Sequence, residues 1–250
     1  MPVLSISPSC CATEETCSES VVAPIVIALL YELVFGWAET SAKGHGAAFV
    51  FPGILFLLTA SEAFNSTSYG IFLPRFSGAI YEIVSSPASI GEVMSGFLLA
   101  ALTRVVAIAG GFLLVSCMCF GLGIVHPLGL FLAVVVSTLI FGMVGLIVGI
   151  LAREFEQIPI FPAFVIMPLV FMGGTFIDIA EMPGLWPDIL AFNPLAAFVK
   201  VYRFLSNGTT TGNAAPGSGE VLAICGVLLA ALIILARLLR TNRHRRTFSN

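Results

Sequence analysis

Charge is what this sequence has least of. Only 10% of its 250 residues are Asp, Glu, Lys or Arg, against 58% hydrophobic, where soluble domains carry about 25% charge. A water-soluble fold of this size cannot cover itself with so few charged groups, so most of the chain's solvent is lipid. Lysine is nearly missing: Lys43 and Lys200 are the only two. No GxxxxGK(S/T) loop occurs, so the chain cannot cradle a nucleotide phosphate in that way. GxSxG, HExxH and paired-histidine motifs are missing too, so no catalytic residue can be named. His45, His126 and His244 stand far apart, and Cys10, Cys11, Cys17, Cys117, Cys119 and Cys225 have no metal-ligand spacing. No metal or cofactor site is expected, and the cysteines read as free thiols and small packing residues. Segments alternating with period 2, the mark of a membrane barrel, are absent.

What is present is a series of apolar runs: about 21–38, 47–69, 93–122, 127–151, 158–176 and 221–239. About 20 helical residues cross a ~30 Å hydrocarbon core, and a helix satisfies its own backbone where lipid cannot. The expected fold is therefore all-α and integral to the membrane, with six transmembrane helices. Residues 1–20 are polar, with Glu14, Glu15 and Glu19 and no basic residue. They lack the basic start and apolar centre of a signal peptide and read as a mobile tail. Residues 241–250 form a basic tail. Placing both termini in the cytoplasm puts Arg75, Arg104, Arg153 and the arginines from Arg237 to Arg246 inside, with Lys43, Lys200 and Arg203 outside. The C-terminal arginines carry that vote; without them it is three against three.

The links between runs hold the more specific features. In 71–92, Pro74 and Gly78 break the exit from the second run, and Ser85-Ser86-Pro87 stops a short helix over Ala79–Val84. This short helix would present Tyr81 and Glu82 on the cytoplasmic face as a docking knob, or be a plain connecting loop. Arg153-Glu154-Phe155-Glu156-Gln157 is a tight charged turn between two runs, read as an interfacial turn or a contact for the same partner. On the outer side, Gly173-Gly174 interrupts the fifth run. The stretch from Met182 to Pro187 is broken by Pro183 and carries Trp186, suited to the interface. Asn193 is a good N-cap with Pro194 at N1. Leu195, Phe198, Val199 and Tyr202 follow helical spacing and make one apolar face. Lys200 and Arg203 fall on other faces, within reach of headgroups. A re-entrant helix pair that enters the outer leaflet without crossing is expected between the fifth and sixth spans. The bland alternative is a surface amphipathic helix.

Glu32, Glu62 and Asn65 lie within apolar runs, where ionisable groups face a cavity or a partner. Asn65 suits a helix–helix hydrogen bond. Arg104 is read near the inner end of its span, able to snorkel.

In order and spacing, these features resemble the membrane subunits of type-2 ABC exporters, the permeases of drug, polysaccharide and nodulation lipo-oligosaccharide export. The resemblance runs from about Val21 to the C-terminus. It rests on Tyr81 to Pro87 leading into Gly96–Arg104, on Gly142–Gly149 followed by Arg153–Gln157, and on Gly174-Thr175-Phe176, Met182–Trp186, Asn193-Pro194 and Arg203. It implies a half-transporter of a bacterial inner membrane that pairs with a second permease, identical or related. Two copies of a separate ATP-binding subunit, which hold the ATP and Mg, would dock inside. Tyr81, Glu82, Ser86, Pro87, Arg153, Glu154 and Glu156 would then be the ATPase-coupling contact. Gly174, Phe176, Pro183, Trp186, Asn193, Pro194 and Arg203 would belong to the outer gate. Lipid surrounds the chain and no nucleic-acid partner is expected. The chain differs from the family at its start, where members carry a basic in-plane helix. Two other classes compete: a proton- or ion-coupled secondary transporter using Glu32 and Glu62, and a non-transporting membrane scaffold.

Overall fold

The second helix is the axis of the protein. In a computed structural model of the chain, which describes residues 10–43, 47–78, 90–176, 193–207 and Gly226, helix α2 (Ala47–Phe76) is packed by all the other described helices. Every residue from Val50 to Ala60 in it is buried. The others are α1 (Cys10–Lys43), α3 (Ile90–Phe120), α4 (Pro127–Leu151), α5 (Gln157–Thr175) and α6 (Pro194–Asn207). Among the described residues there is no strand. Five helices among the described residues are long and apolar enough to cross a membrane: α2 to α5 and the Val21–Ala38 part of α1. The expected sixth span, 221–239, lies outside the described residues apart from Gly226.

Helix α1 begins at Cys10 rather than near Val21. The polar stretch read as a mobile tail is helical from that point, since no glycine or proline breaks the chain before Pro24. Helix α2 continues through Pro74 and ends at Phe76, just before Gly78, whose φ of 81° suits glycine. Helix α4 has the expected limits, with Pro127 supplying a preset φ at its start.

The α2–α4 contact explains Gly145 and Gly149 of α4. A Cβ at Gly145 would stand 2.2 Å from Thr67 Oγ1 and 2.6 Å from the Phe64 carbonyl, and one at Gly149 would stand 2.7 Å from the Ser68 carbonyl. Only glycine lets the two backbones come this close. Ser68 Oγ then donates to the Gly145 carbonyl at 2.8 Å, tying the helices together where lipid offers no hydrogen bond.

Helix α5 is not a regular α-helix. Two π segments, Pro162–Ile166 and Phe171–Thr175, interrupt it. Pro159, Pro162 and Pro168 remove backbone donors along its length, so carbonyls are left to find partners elsewhere. The helix closes at Gly174, which has φ 92° and ψ 20°.

Candidate functional site

The two ends of the bundle are built differently. At one end, α4 and α5 are joined by an exposed turn in which Arg153, Glu154, Phe155, Glu156 and Gln157 all face solvent. Gln157 Oε1 accepts from the Arg153 amide at 3.1 Å. Arg75, in the last turn of α2, holds the turn from below. Its Nη1 donates to the Ala152 carbonyl at 3.2 Å and to that of Ile150. The Phe155 ring lies 5.2 Å from that of Tyr69 and 6.1 Å from that of Phe72. The turn therefore presents its charges outward from a fixed base. Arg75 was not singled out from sequence, although a basic residue in a helix's last turn can reach the exposed carbonyls of a neighbour as well as its own.

At the opposite end sits α6. Its 14 residues span roughly 21 Å, too short for a ~30 Å core. Asn193 caps it as expected: its Oδ1 accepts from the Leu195 amide at 3.0 Å. Leu195, Phe198, Val199 and Tyr202 are buried together. The Phe198 ring stacks on Phe56 of α2 at 5.0 Å and meets Phe141 of α4 at 6.1 Å. Between them, Tyr202 Oη lies 2.6 Å from Ser137 Oγ and 3.3 Å from Thr59 Oγ1. These three hydroxyls join α2, α4 and α6 inside the apolar interior. Burial pushes the Tyr202 phenol up to about 12, the hydrogen bonds from Ser137 and Thr59 offsetting part of the rise. It therefore stays neutral. Helix α6 is thus a packed element and not a surface amphipathic helix.

Arg203 departs from expectation most. It is 5% exposed and does not reach for headgroups. Its Nη2 donates to the Gly174 carbonyl at 2.6 Å and to the Phe49 carbonyl at 3.4 Å. Its guanidinium carbon lies 3.9 Å over the Phe49 ring. The reason is local. The loosened end of α5 exposes carbonyls, and three of them meet side chains. Thr175 Oγ1 donates to the Val170 carbonyl at 2.7 Å, Asn193 Nδ2 to that of Leu169 at 2.6 Å, and Arg203 to that of Gly174. Gly173 lets α6 come close: a Cβ there would stand 3.2 Å from Ala196 Cα. Phe176 packs 4.1 Å from Phe35 of α1 and 5.0 Å from Phe171. On the far side of α6, the amides of Val125 and His126 donate to the carbonyls of Ser206 and Leu205, both at 3.0 Å. Asn207 Nδ2 donates to the Ala48 carbonyl at 2.6 Å.

Gly174, Phe176, Asn193 and Arg203 are therefore brought to one place by the fold. Pro194 is the first residue of α6. Pro183 and Trp186 lie outside the described residues, as do Tyr81, Glu82, Ser86 and Pro87. Arg153, Glu154 and Glu156 sit at the opposite end from this cluster.

Two intramembrane carboxylates have partners. Glu32 is fully buried and its Oε2 accepts from Ser116 Oγ of α3 at 2.6 Å. Glu62 Oε2 accepts from Arg104 Nη2 at 3.2 Å. Arg104 lies near the middle of α3, not at its inner end, and pairs across to α2 in place of snorkelling.

Residues 16–205 match the protein family described as ABC-2 type transporter. The chain belongs to that family. It is similar to the inner membrane transport permease YadH of Escherichia coli K12, 24% identical over 193 residues, which is 74% of this chain and 75% of the relative. It is also similar to nodulation protein J of Rhizobium leguminosarum bv. viciae, 24% identical over 197 residues, 77% of this chain and 74% of the relative. The family match takes in most of α1, all of α2 to α5 and most of α6. The fold that positions the Arg203 cluster is thus the ABC-2 transporter domain.

Proposed function

We propose that this chain is the permease subunit of an ATP-binding-cassette exporter in a bacterial inner membrane, with both termini in the cytoplasm. A second permease copy would complete the path. Two copies of a separate ATP-binding subunit, holding ATP and Mg, would drive it. The family match and the transport permease named among its relatives support this reading.

The observation that carries it is the unlike construction of the two ends. An energy-coupling contact needs exposed, charged groups on a base stiff enough to transmit a push. The Arg153–Gln157 turn, held by Arg75 and the Phe155 ring contacts, has that character. In this reading Tyr81, Glu82, Ser86 and Pro87 join the same surface. A gate needs a short element that shuts the far end without crossing it. Helix α6, tied to the end of α5 through Arg203 and Asn193, suits that role, with Pro183 and Trp186 in the connection between them. Binding of ATP would bring the motor subunits together and bias the permease between two packed states.

Co-purification from membranes with the candidate ATP-binding subunit tests the proposal. The wild-type chain is expected to retain that subunit, and the chain alone to hydrolyse no ATP. Glu82→Lys, or Arg153→Glu with Glu154→Lys, should release the subunit without changing the permease's elution profile. Normal export by Glu82→Lys removes Glu82 from the contact. Labelling that finds residues 178–203 accessible from the cytoplasm overturns the gate.

A further inference from the structure

Arg104 and Glu62 stand near the middle of the two helices that carry them. Helix α3 has 31 residues and α2 has 30, which puts Arg104 about 20 Å from either end of α3. The hydrocarbon core is ~30 Å thick, so neither headgroup layer is within easy reach. Arg104 donates to Glu62 at 3.2 Å, yet 37% of its side chain is exposed, and 13% of that of Glu62. A charge at this depth is expensive against acyl chains and faces a wet cavity or a partner instead.

The surface beside it is unlike the lipid-facing surfaces of the same bundle. Helix α1 exposes Val26, Leu30, Leu33 and Trp37. Next to Arg104, α3 exposes Ala100, Thr103 and Ala107, with Leu99 as the large apolar member. A Cβ at Gly96 or Gly110 would meet nothing within 4 Å. Small side chains and the Thr103 hydroxyl flank an arginine whose side chain is partly exposed, its Nε buried, and leave room for water and for a hydrogen-bonding group. A guanidinium presents a planar fork of donors that matches an oxyanion.

We propose that Arg104, held in place by Glu62, is the cargo-contacting cation of this permease, taking an oxyanion group of the cargo as it passes the middle of the membrane along the Thr103–Ala107 side of α3. The inference rests on the permease reading and adds to it the chemistry of what is carried.

Charge-selective thiol labelling tests it. The six native cysteines are replaced and Thr103→Cys or Ala107→Cys is introduced into the full chain in membranes. The probes are an anionic sulfonatoethyl and a cationic trimethylammonioethyl methanethiosulfonate, with rates normalised to a free thiol in solution and Leu33→Cys of α1 as the lipid-facing control. Both sites should react, with the anionic reagent favoured about tenfold. Arg104→Gln should erase the preference, Arg104→Lys keep it and Glu62→Gln increase it. Should Arg104→Gln fail to assemble, the last two variants decide. Thiols as unreactive as the Leu33→Cys control would put this face in lipid and overturn the proposal. So would a preference that Arg104→Gln leaves intact, or that Glu62→Gln does not raise. The labelling needs no ATP-binding partner, so its failure is separable from failure of the co-purification that tests the permease reading.

Discussion

Arg203 of α6 and Gly174 of α5 are joined by a 2.6 Å hydrogen bond from a buried guanidinium to a main-chain carbonyl. The same cation also meets the Phe49 carbonyl and the Phe49 ring. Such an arrangement is favoured when the carbonyls have lost their helical donors, which is the state of the end of α5. The arginine therefore completes the backbone of another helix. It fastens the element proposed as a gate to the helix it would move against.

Replacing Arg203 should loosen α6. Arg203→Met keeps most of the packing volume but removes the donors and the contact with Phe49. It is expected to cost roughly 2–4 kcal/mol, read as a lower melting temperature in detergent. Arg203→Lys restores a donor without the planar stack and should fall between the two. A melting curve unchanged in Arg203→Met would show that the bond contributes nothing to holding α6.

Gly174 carries the second prediction. At φ 92° an added Cβ is strained whatever space surrounds it, so Gly174→Ala should cost about 1–2 kcal/mol. Because it displaces the same carbonyl that Arg203 holds, the loss in Gly174→Ala with Arg203→Met should be smaller than the sum of the single losses. Additive losses in a thermal double-mutant cycle would separate the two residues.

These two residues also mark how far the sequence could be read. Signals that act within a few residues were legible. Asn193-Pro194 opens α6, Gly174 closes α5, and Pro127 begins α4. The apolar face Leu195, Phe198, Val199 and Tyr202 followed from helical spacing and is buried. What escaped depends on partners far along the chain. Arg203 reads as a headgroup residue until Gly174, 29 positions away, is seen beside it. Arg104 reads as a snorkelling residue until Glu62, 42 positions away, meets it. The π segments of α5 follow from how its prolines and carbonyls are satisfied by neighbours, which periodicity does not report. Helix α1 shows the converse error: polar composition suggested a tail where the chain is helical from Cys10.

The α2–α4 seam predicts a contrast between glycines. Gly145→Ala puts a methyl carbon against Thr67 and the Phe64 carbonyl and should cost about 1–3 kcal/mol, with reduced yield from membranes. Gly110→Ala enters open space and should be neutral or up to about 1 kcal/mol stabilising, since alanine is the better helix former. Equal melting temperatures for the two variants would mean that the close approach of α2 and α4 is not what the glycines of α4 serve.

Glu32 separates the motor-driven reading from an ion-coupled one. Its carboxylate is sealed between α1 and α3, with Oε2 taking the Ser116 hydroxyl at 2.6 Å. Glutamine in its place keeps an acceptor for Ser116 and cannot cycle a proton. If the group is structural, Glu32→Gln should change ATP-driven export by about twofold or less, the effect of exchanging one acceptor for another. Ser116→Ala should harm folding more, because it leaves the buried carboxylate without its donor. Export measured in inverted vesicles should also persist when a protonophore collapses the proton gradient while ATP is held constant. Transport that stops in Glu32→Gln, and stops with the protonophore in wild type, would instead make Glu32 the coupling group of a secondary transporter. Glu62 is a weaker candidate for that role, because Arg104 already offsets its charge across the α2–α3 contact.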